Sequence, residues 1–162
     1  MPQARTLTLV AALLGLLATA GCTGLGLGTR DYAAAFSGLG ANDTLGAVNA
    51  PRQTGRRGPM RIDPKAQKAA ERHARAMARA GKMAHELPGG PSFGARLERE
   101  GIRTVAAENV AWGQRDVAGA VTAWMNSKGH RRNMLDKRFE GVGVASAEGK
   151  DGRLYWAMVL VP

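Results

Sequence analysis

Apolar and polar positions divide the chain into three stretches of different character. Leu7 to Ala20 is an almost unbroken run of Leu, Ala and Val, preceded by a single charged side chain, Arg5. At 14 residues it falls short of the roughly 20 that a helix needs to cross hydrocarbon. Thr23 to Gly46 has little periodicity and is rich in Gly, Ala, Ser and Thr, the composition of a flexible tether. Tyr32 and Phe36 suggest at most a short helical turn within it. Regular patterning follows. Asp63-Pro64 opens a helix that runs to Ala80, with a small-residue stripe of Ala66, Ala70, Ala74, Met77 and Ala78 and a stop at Gly81. Ser92 caps a shorter helix ending at Gly101. Asp116 starts another, with Val117, Ala120, Val121 and Trp124 at helical spacing. Ser127-Lys128-Gly129 breaks it, and His130 to Leu135 can form one more turn, with Ser127 capping it. The period then changes to two. Val142 to Ser146 alternates loosely, Gly149 to Gly152 is turn chemistry, and Leu154 to Val161 is apolar and β-prone, which together predict a hairpin. Helices first and antiparallel strands last indicate an α+β domain.

The leader reads as a secretory signal peptide over residues 1–21: a positive start, a short apolar core and small residues at the end. Thr19-Ala20-Gly21-Cys22 resembles the lipobox of bacterial lipoproteins, which implies that Cys22 becomes a lipidated first residue. The alternative is a plain signal peptide that leaves Cys22 as a free thiol. Thr23, where an Asp would favour inner-membrane retention, makes an outer-membrane address the expectation in a diderm. Cys22 is the only cysteine, so no internal disulfide and no Cys-cluster metal site can form. The expected organisation is a leader at 1–21, a tether at 22–44 and a folded domain at 45–162.

The whole chain of 162 residues carries a net charge of +10. Loss of the leader removes only Arg5 and leaves +9, so the basicity belongs to the folded part. Hydrophobic residues at 44% and charged residues at 22% exclude wholesale disorder and a collagen-like fibre. An exported basic protein seldom meets nucleic acid. Its expected acidic partners are therefore anionic membrane surfaces or envelope polymers. Two basic runs, Arg52-Arg56-Arg57-Arg61 and Lys128-Arg131-Arg132-Lys137-Arg138, read as solvated faces that can make such contacts. Aromatic residues are only 5% of the chain, so Trp112, Trp124 and Trp156 are expected as core anchors.

The candidate chemistry is sparse. His73 lies between Arg72 and Arg75 in the long helix and reads as a surface or boundary residue. His85 follows that helix in a Pro/Gly-rich loop, where functional groups often sit. Glu108 falls inside an apolar run, where a carboxylate must face solvent or find partners. His130 lies in Trp124-Met-Asn-Ser127-Lys-Gly-His130-Arg-Arg-Asn133-Met. Taken singly these are weak signals. Taken in order, a His after the first long helix, Glu108-Asn109-x-Ala-x-Gly, Trp-x-x-Ser-x-Gly-His-Arg-x-Asn-Met, Gly-Val-Gly and a Tyr-Trp strand resemble the CAP superfamily in its bacterial SCP-like branch. The superfamily comprises cysteine-rich secretory, antigen 5 and pathogenesis-related 1 proteins.

That resemblance implies an α-β-α sandwich, a small antiparallel sheet flanked by helices, with a cleft lined by His85, Glu108 and His130 and bordered by Asn109 and Ser127. The chain departs from the family pattern in several places. Ala107 replaces a Gly, no second Glu stands near Ser127, no second His stands near Tyr155, and Ala157-Met158 replaces Thr-Gln. Pro51 falls within the family's usual first helix, which is expected to be short or displaced. Two imidazoles, His85 and His130, can hold Zn²⁺ with open positions, with Glu108 as third ligand or orienter. Alternatively, Glu108 accepts hydrogen bonds and simply buttresses the loops. A Ser127–His130 pair would further need oxyanion donors to act as a nucleophile. Three functions stay open: binding of a small or lipidic ligand or a partner in the cleft, weak metal-assisted hydrolysis of envelope material, and a structural surface module binding anionic polymers. The domain is expected to be a monomer.

Overall fold

The computed structural model describes residues 41–162; the leader, the candidate lipobox with Cys22 and most of the tether lie outside the described residues. The elements in order are α1 (Ala41–Thr54), β1 (Arg61–Ile62), α2 (Pro64–Ala80), α3 (Phe93–Arg99), β2 (Ala107–Trp112), α4 (Val117–Asn126), α5 (Lys128–Met134), β3 (Gly141–Glu148) and β4 (Leu154–Val161). The four strands form one sheet in the order β1-β3-β4-β2, with α2 and α3 on one face and α1, α4 and α5 on the other. This is the expected α-β-α sandwich. The sheet is antiparallel except at one edge, where the two-residue β1 runs parallel to β3 with Arg61 opposite Gly141.

The long helix forms for the reasons its sequence suggests. Asp63 Oδ1 accepts the amides of Lys65 and Ala66 at 2.9 and 2.8 Å, Pro64 takes the first helical position, and Gly81 ends the helix at φ +58°. Its small-residue stripe lets the helix axis approach the sheet closely. Gly143 on β3 completes that fit, since a Cβ there would overlap the backbone of Ala66 and Gln67. β1 covers only Gly141 and Val142 along the outer edge of β3. Beyond it the Gln67 side chain pairs with both backbone groups of Val144, accepting its amide at 3.0 Å and donating to its carbonyl at 3.1 Å. A helical side chain thus stands in for a missing strand residue.

Several expectations are corrected. Trp124 and Trp156 are buried anchors in the core between the sheet and α4, but Trp112 is 42% exposed, with the Arg153 guanidinium 4.5 Å over its ring. It is the last residue of edge strand β2. Pro51 does not cut α1 short: it lies three residues from the end of a 14-residue helix. Helix α1 begins at Ala41. Arg52 is no solvated cation. It is buried, and its guanidinium donates to the carbonyls of Gly58, Met134, Asp136 and Phe139 at 2.7–3.1 Å. Those helix-end and loop carbonyls have no strand to pair with, and a planar fork of donors satisfies them together. Ser127 does join α4 to α5, yet its hydroxyl makes no cap hydrogen bond. Its backbone carbonyl accepts the Arg131 amide instead.

Candidate functional site

The site is built outward from β2, an edge strand whose alternation sends neighbouring side chains to opposite faces of the sheet. Glu108 points toward the α2–α3 layer and Asn109 toward the α4–α5 layer. Each holds one histidine. Glu108 Oε1 lies 2.9 Å from His85 Nδ1. Asn109 Nδ2 donates to the backbone carbonyl of His130 at 3.2 Å, and Asn133 Nδ2 donates to Asn109 Oδ1 at 2.9 Å. The loop after α2 and the short helix α5 are thereby tied to adjacent residues of one strand. Their imidazoles meet beside that strand with ring centroids 6.2 Å apart and planes inclined at 56°.

Glu108 is buried, and two residues outside the expected set explain how. Arg96 on α3 grips it with two hydrogen bonds, Nη1 to Oε2 at 2.6 Å and Nη2 to Oε1 at 3.1 Å, while Nη2 also donates to the carbonyl of His85 at 2.6 Å. His73, expected at a surface or boundary, is instead buried, with Nε2 2.9 Å from the Ala84 carbonyl and 3.8 Å from Glu108 Oε1. The signal for His73 was present: it lies three or four residues from Ala69, Ala70 and Met77, on the apolar stripe of α2. No comparable signal marks Arg96. A buried carboxylate demands a cation, but nothing in the sequence chooses among Arg96, Arg99 and Arg103.

The electrostatics follow from these contacts. Burial alone would raise the Glu108 carboxyl, but hydrogen bonds from His85 and Arg96 and the nearby His73 overcome it and hold the group below its ordinary 4.5. The hydrogen bond to Glu108 raises His85 above 6.5 against the opposing effect of burial. Burial lowers His73, and burial together with the charge on His85 lowers His130. The pair therefore combines an exposed imidazole whose proton affinity is raised, His85, with a half-buried one whose proton affinity is lowered, His130.

As a metal site this donor set is meagre. Nδ1 of His85 is taken by Glu108, in the manner of a carboxylate that orients a metal-bound histidine, which leaves Nε2 as the free nitrogen of a side chain 53% exposed. His130 supplies the second imidazole. Glu108 stands as the orienter of His85, with both of its oxygens accepting hydrogen bonds from Arg96 and His85. Among the described residues no group of three or more His, Cys, Asp or Glu is arranged to hold an ion. The residues suit a weakly held ion with several open positions and do not suit a closed structural zinc site.

Two grooves lie apart from the imidazole pair, and neither is lined by His85 or His130. One, of about 620 Å³, runs between α2 and the segment carrying α3 and is strongly basic. The other, of about 530 Å³, lies between α1 and α4 and is mainly apolar, lined by Ala47, Ala50, Pro51, Val121, Met125 and Leu135 among others.

The α-β-α sandwich, with Glu108 and Asn109 of the motif on β2, agrees with the CAP resemblance of the sequence. The sequence profile of the cysteine-rich secretory protein family (CAP) matches residues 45–160, and the chain belongs to that family. It is 35% identical over 102 residues to YkwD of Bacillus subtilis (strain 168), a match that takes in 62% of this chain and 40% of that protein. Among solved structures it is similar to an extracellular protein containing an SCP domain from Bacillus anthracis, with a TM-score of 0.65, 25% identity, and 75% of this chain and 39% of that one covered. It shares its fold with an outer surface protein from Borrelia burgdorferi at a TM-score of 0.65 and 18% identity, covering 72% and 86% of the two chains. The chain thus spans well under half the length of YkwD and of the B. anthracis protein.

Proposed function

We propose that this chain is an exported CAP-domain protein that works by binding rather than by bond cleavage, with His85 and His130 as the point of contact. The ligand class is a small molecule bearing oxygen donors, taken up directly by the imidazoles or through a divalent transition-metal ion that they hold. One observation carries this reading: Glu108 spends both oxygens on Arg96 and His85, so the carboxylate is a buttress, while the outer nitrogens of the imidazole pair stay available. A bound ion would add a positive centre with open positions for the ligand's oxygens. Titration of the full-length protein with Zn²⁺ tests this. One weak site is expected, lost in His85→Ala and in His130→Ala. Because the ion must displace the proton that Glu108 favours on His85, affinity should fall as pH drops from about 7.5 to about 6.0. Binding that survives in both variants would overturn the reading.

Export rests on the leader pattern at 1–21 and on similarity to an outer surface protein and an extracellular protein. Anchoring at Cys22 follows from the lipobox-like residues before it. If the anchor is formed, Cys22→Ser should move the protein from the membrane fraction to the soluble one.

The apolar groove between α1 and α4 favours a second reading, a lipid chain as ligand. Retention of a fluorescent fatty acid by the native chain, abolished in Ala50→Trp and kept in His85→Ala, would support it.

A further inference from the structure

The groove between α2 and α3 is not lined by His85 or His130, although Arg96 and His73 in its wall also contact Glu108, and its lining has a definite pattern. Lys68, Arg72, Arg75 and Arg79 recur at intervals of four, three and four residues, which places them along one stripe of α2. At 1.5 Å per residue the stripe is about 16 Å long. Arg96 and Arg99 on α3 bring two more cations to the same groove. Acidic residues answer only some of these charges. Arg75 pairs with Glu71 at 3.0 Å, Arg72 with Glu100 at 2.6 Å and Arg96 with Glu108. Among the described residues Lys68, Arg79 and Arg99 have no carboxylate within ion-pair distance, and the buried Nε of Arg96 has no hydrogen-bond partner.

We infer that this groove is a binding site for a linear polyanion with repeating phosphate groups, laid along α2. The shape selects this occupant over a bilayer. The cations line a concavity of about 620 Å³ and run parallel to a helix axis, so a flexible strand can lie among them, whereas a flat array of headgroups meets mainly protruding side chains. The sequence pointed instead to the runs at Arg52–Arg61 and Lys128–Arg138. The first of those loses Arg52 to the core.

The test titrates the full-length protein with long-chain inorganic polyphosphate, with orthophosphate and with phosphatidylglycerol vesicles, at 50 and 200 mM salt. With the three unanswered cations engaged, polyphosphate affinity should drop about twenty-fold over that range, by analogy with counterion release from single-stranded nucleic acid. Lys68→Gln/Arg79→Gln should weaken binding at low salt and reduce the salt effect to about threefold. Lys137→Gln/Arg138→Gln, with the same loss of net charge outside the groove, should leave both unchanged. Equal losses in the two double variants would overturn the inference, as would binding to vesicles without binding to polyphosphate, or to orthophosphate as tightly as to polyphosphate. His85→Ala removes the proposed metal point and leaves the groove, so failure of one reading is distinguishable from failure of the other.

Discussion

A single buried carboxylate organises the residues around it. Glu108 lies in a strand whose other positions are mostly apolar, and an unpaired charge there would carry a desolvation cost of several kcal/mol. Arg96 offsets it with two charge-assisted hydrogen bonds, and His85 and His73 complete the shell. Arg96→Met should therefore destabilise the fold by about 3–5 kcal/mol in urea denaturation, because it strands the carboxylate. Arg96→Met/Glu108→Gln should recover a good part of that loss, since the charge goes with its partner. The same contacts set the pH response. His85 titrates above its ordinary 6.5 when folded, so its pairing with Glu108 contributes in full below pH 6.5 and fades as pH rises through the folded value. Glu108 titrates below 4.5 when folded, so its contribution is present above that pH and is lost on acidification through the folded value. The stability gap between the native chain and His85→Ala should accordingly be widest between about pH 4.5 and 6.5 and narrow above it. Imidazole NMR should show His85 titrating above 6.5 and His73 and His130 below it, with His130 moving up in His85→Ala as the neighbouring charge disappears. At this scale the sequence was legible where a residue type has one plausible task. His85, Glu108 and Asn109 stand out in their motif. Arg96 does not, because many arginines could answer a buried acid and only the fold selects one.

At the scale of elements, the helix ends were the most readable part of the chain, since caps are local chemistry. Asp63-Pro64, Ser92, Asp116 and Gly81 all do what their residue types suggest. What the sequence hid was dictated from a distance. The two-residue β1 has no periodicity to detect, and its parallel pairing depends on where Gly141 and Val142 pass. Arg52 looked like a surface charge because the carbonyls that bury it are as many as 87 residues away. The contact between α2 and β3 is the tightest example of such long-range dependence. The alanine stripe of α2 permits the approach, and Gly143 permits it from the other side. Gly143→Ala should shift helix or strand and cost at least the upper part of the ~1–3 kcal/mol typical of overpacking, because both partners are backbone and neither can rotate away. Thermal unfolding reads this directly. Gly46→Ala is the contrast: an added Cβ there meets no atom within 4 Å, and because Gly46 lies inside α1 the change should raise stability by about 0.5–1 kcal/mol.

Across the described fold, one sheet serves two cores of unlike composition. On the α2–α3 side the packing is mostly Ala with Met77, Leu97, Ile102 and Tyr155, and it contains no tryptophan. On the other side Trp124, Trp156, Phe139 and Met134 fill the space beneath α1, α4 and α5. The order of elements and the α+β class could be read along the chain, since helical and strand periods occupy separate stretches. The division into two cores could not, because alternate residues of β3 and β4 belong to different layers and only the sheet order reveals which layer each faces. That shared ownership has a consequence for unfolding. Neither layer can release its core without exposing one face of β3 and β4, and Arg52 ties α1 to the loops around Met134 and Phe139. The two layers should therefore unfold together, although tryptophan emission reports chiefly on one of them. In urea, the fluorescence transition and the far-ultraviolet circular dichroism transition should coincide in midpoint and slope. Trp112→Phe should leave that agreement intact, since it removes the one exposed indole. A fluorescence transition accompanied by only a first, partial step in the dichroism would show that the α1–α4–α5 layer detaches as a unit and that the sheet alone supports α2. Its midpoint would then measure the strength of the Arg52 clamp, and Arg52→Met should move it further than it moves the dichroism.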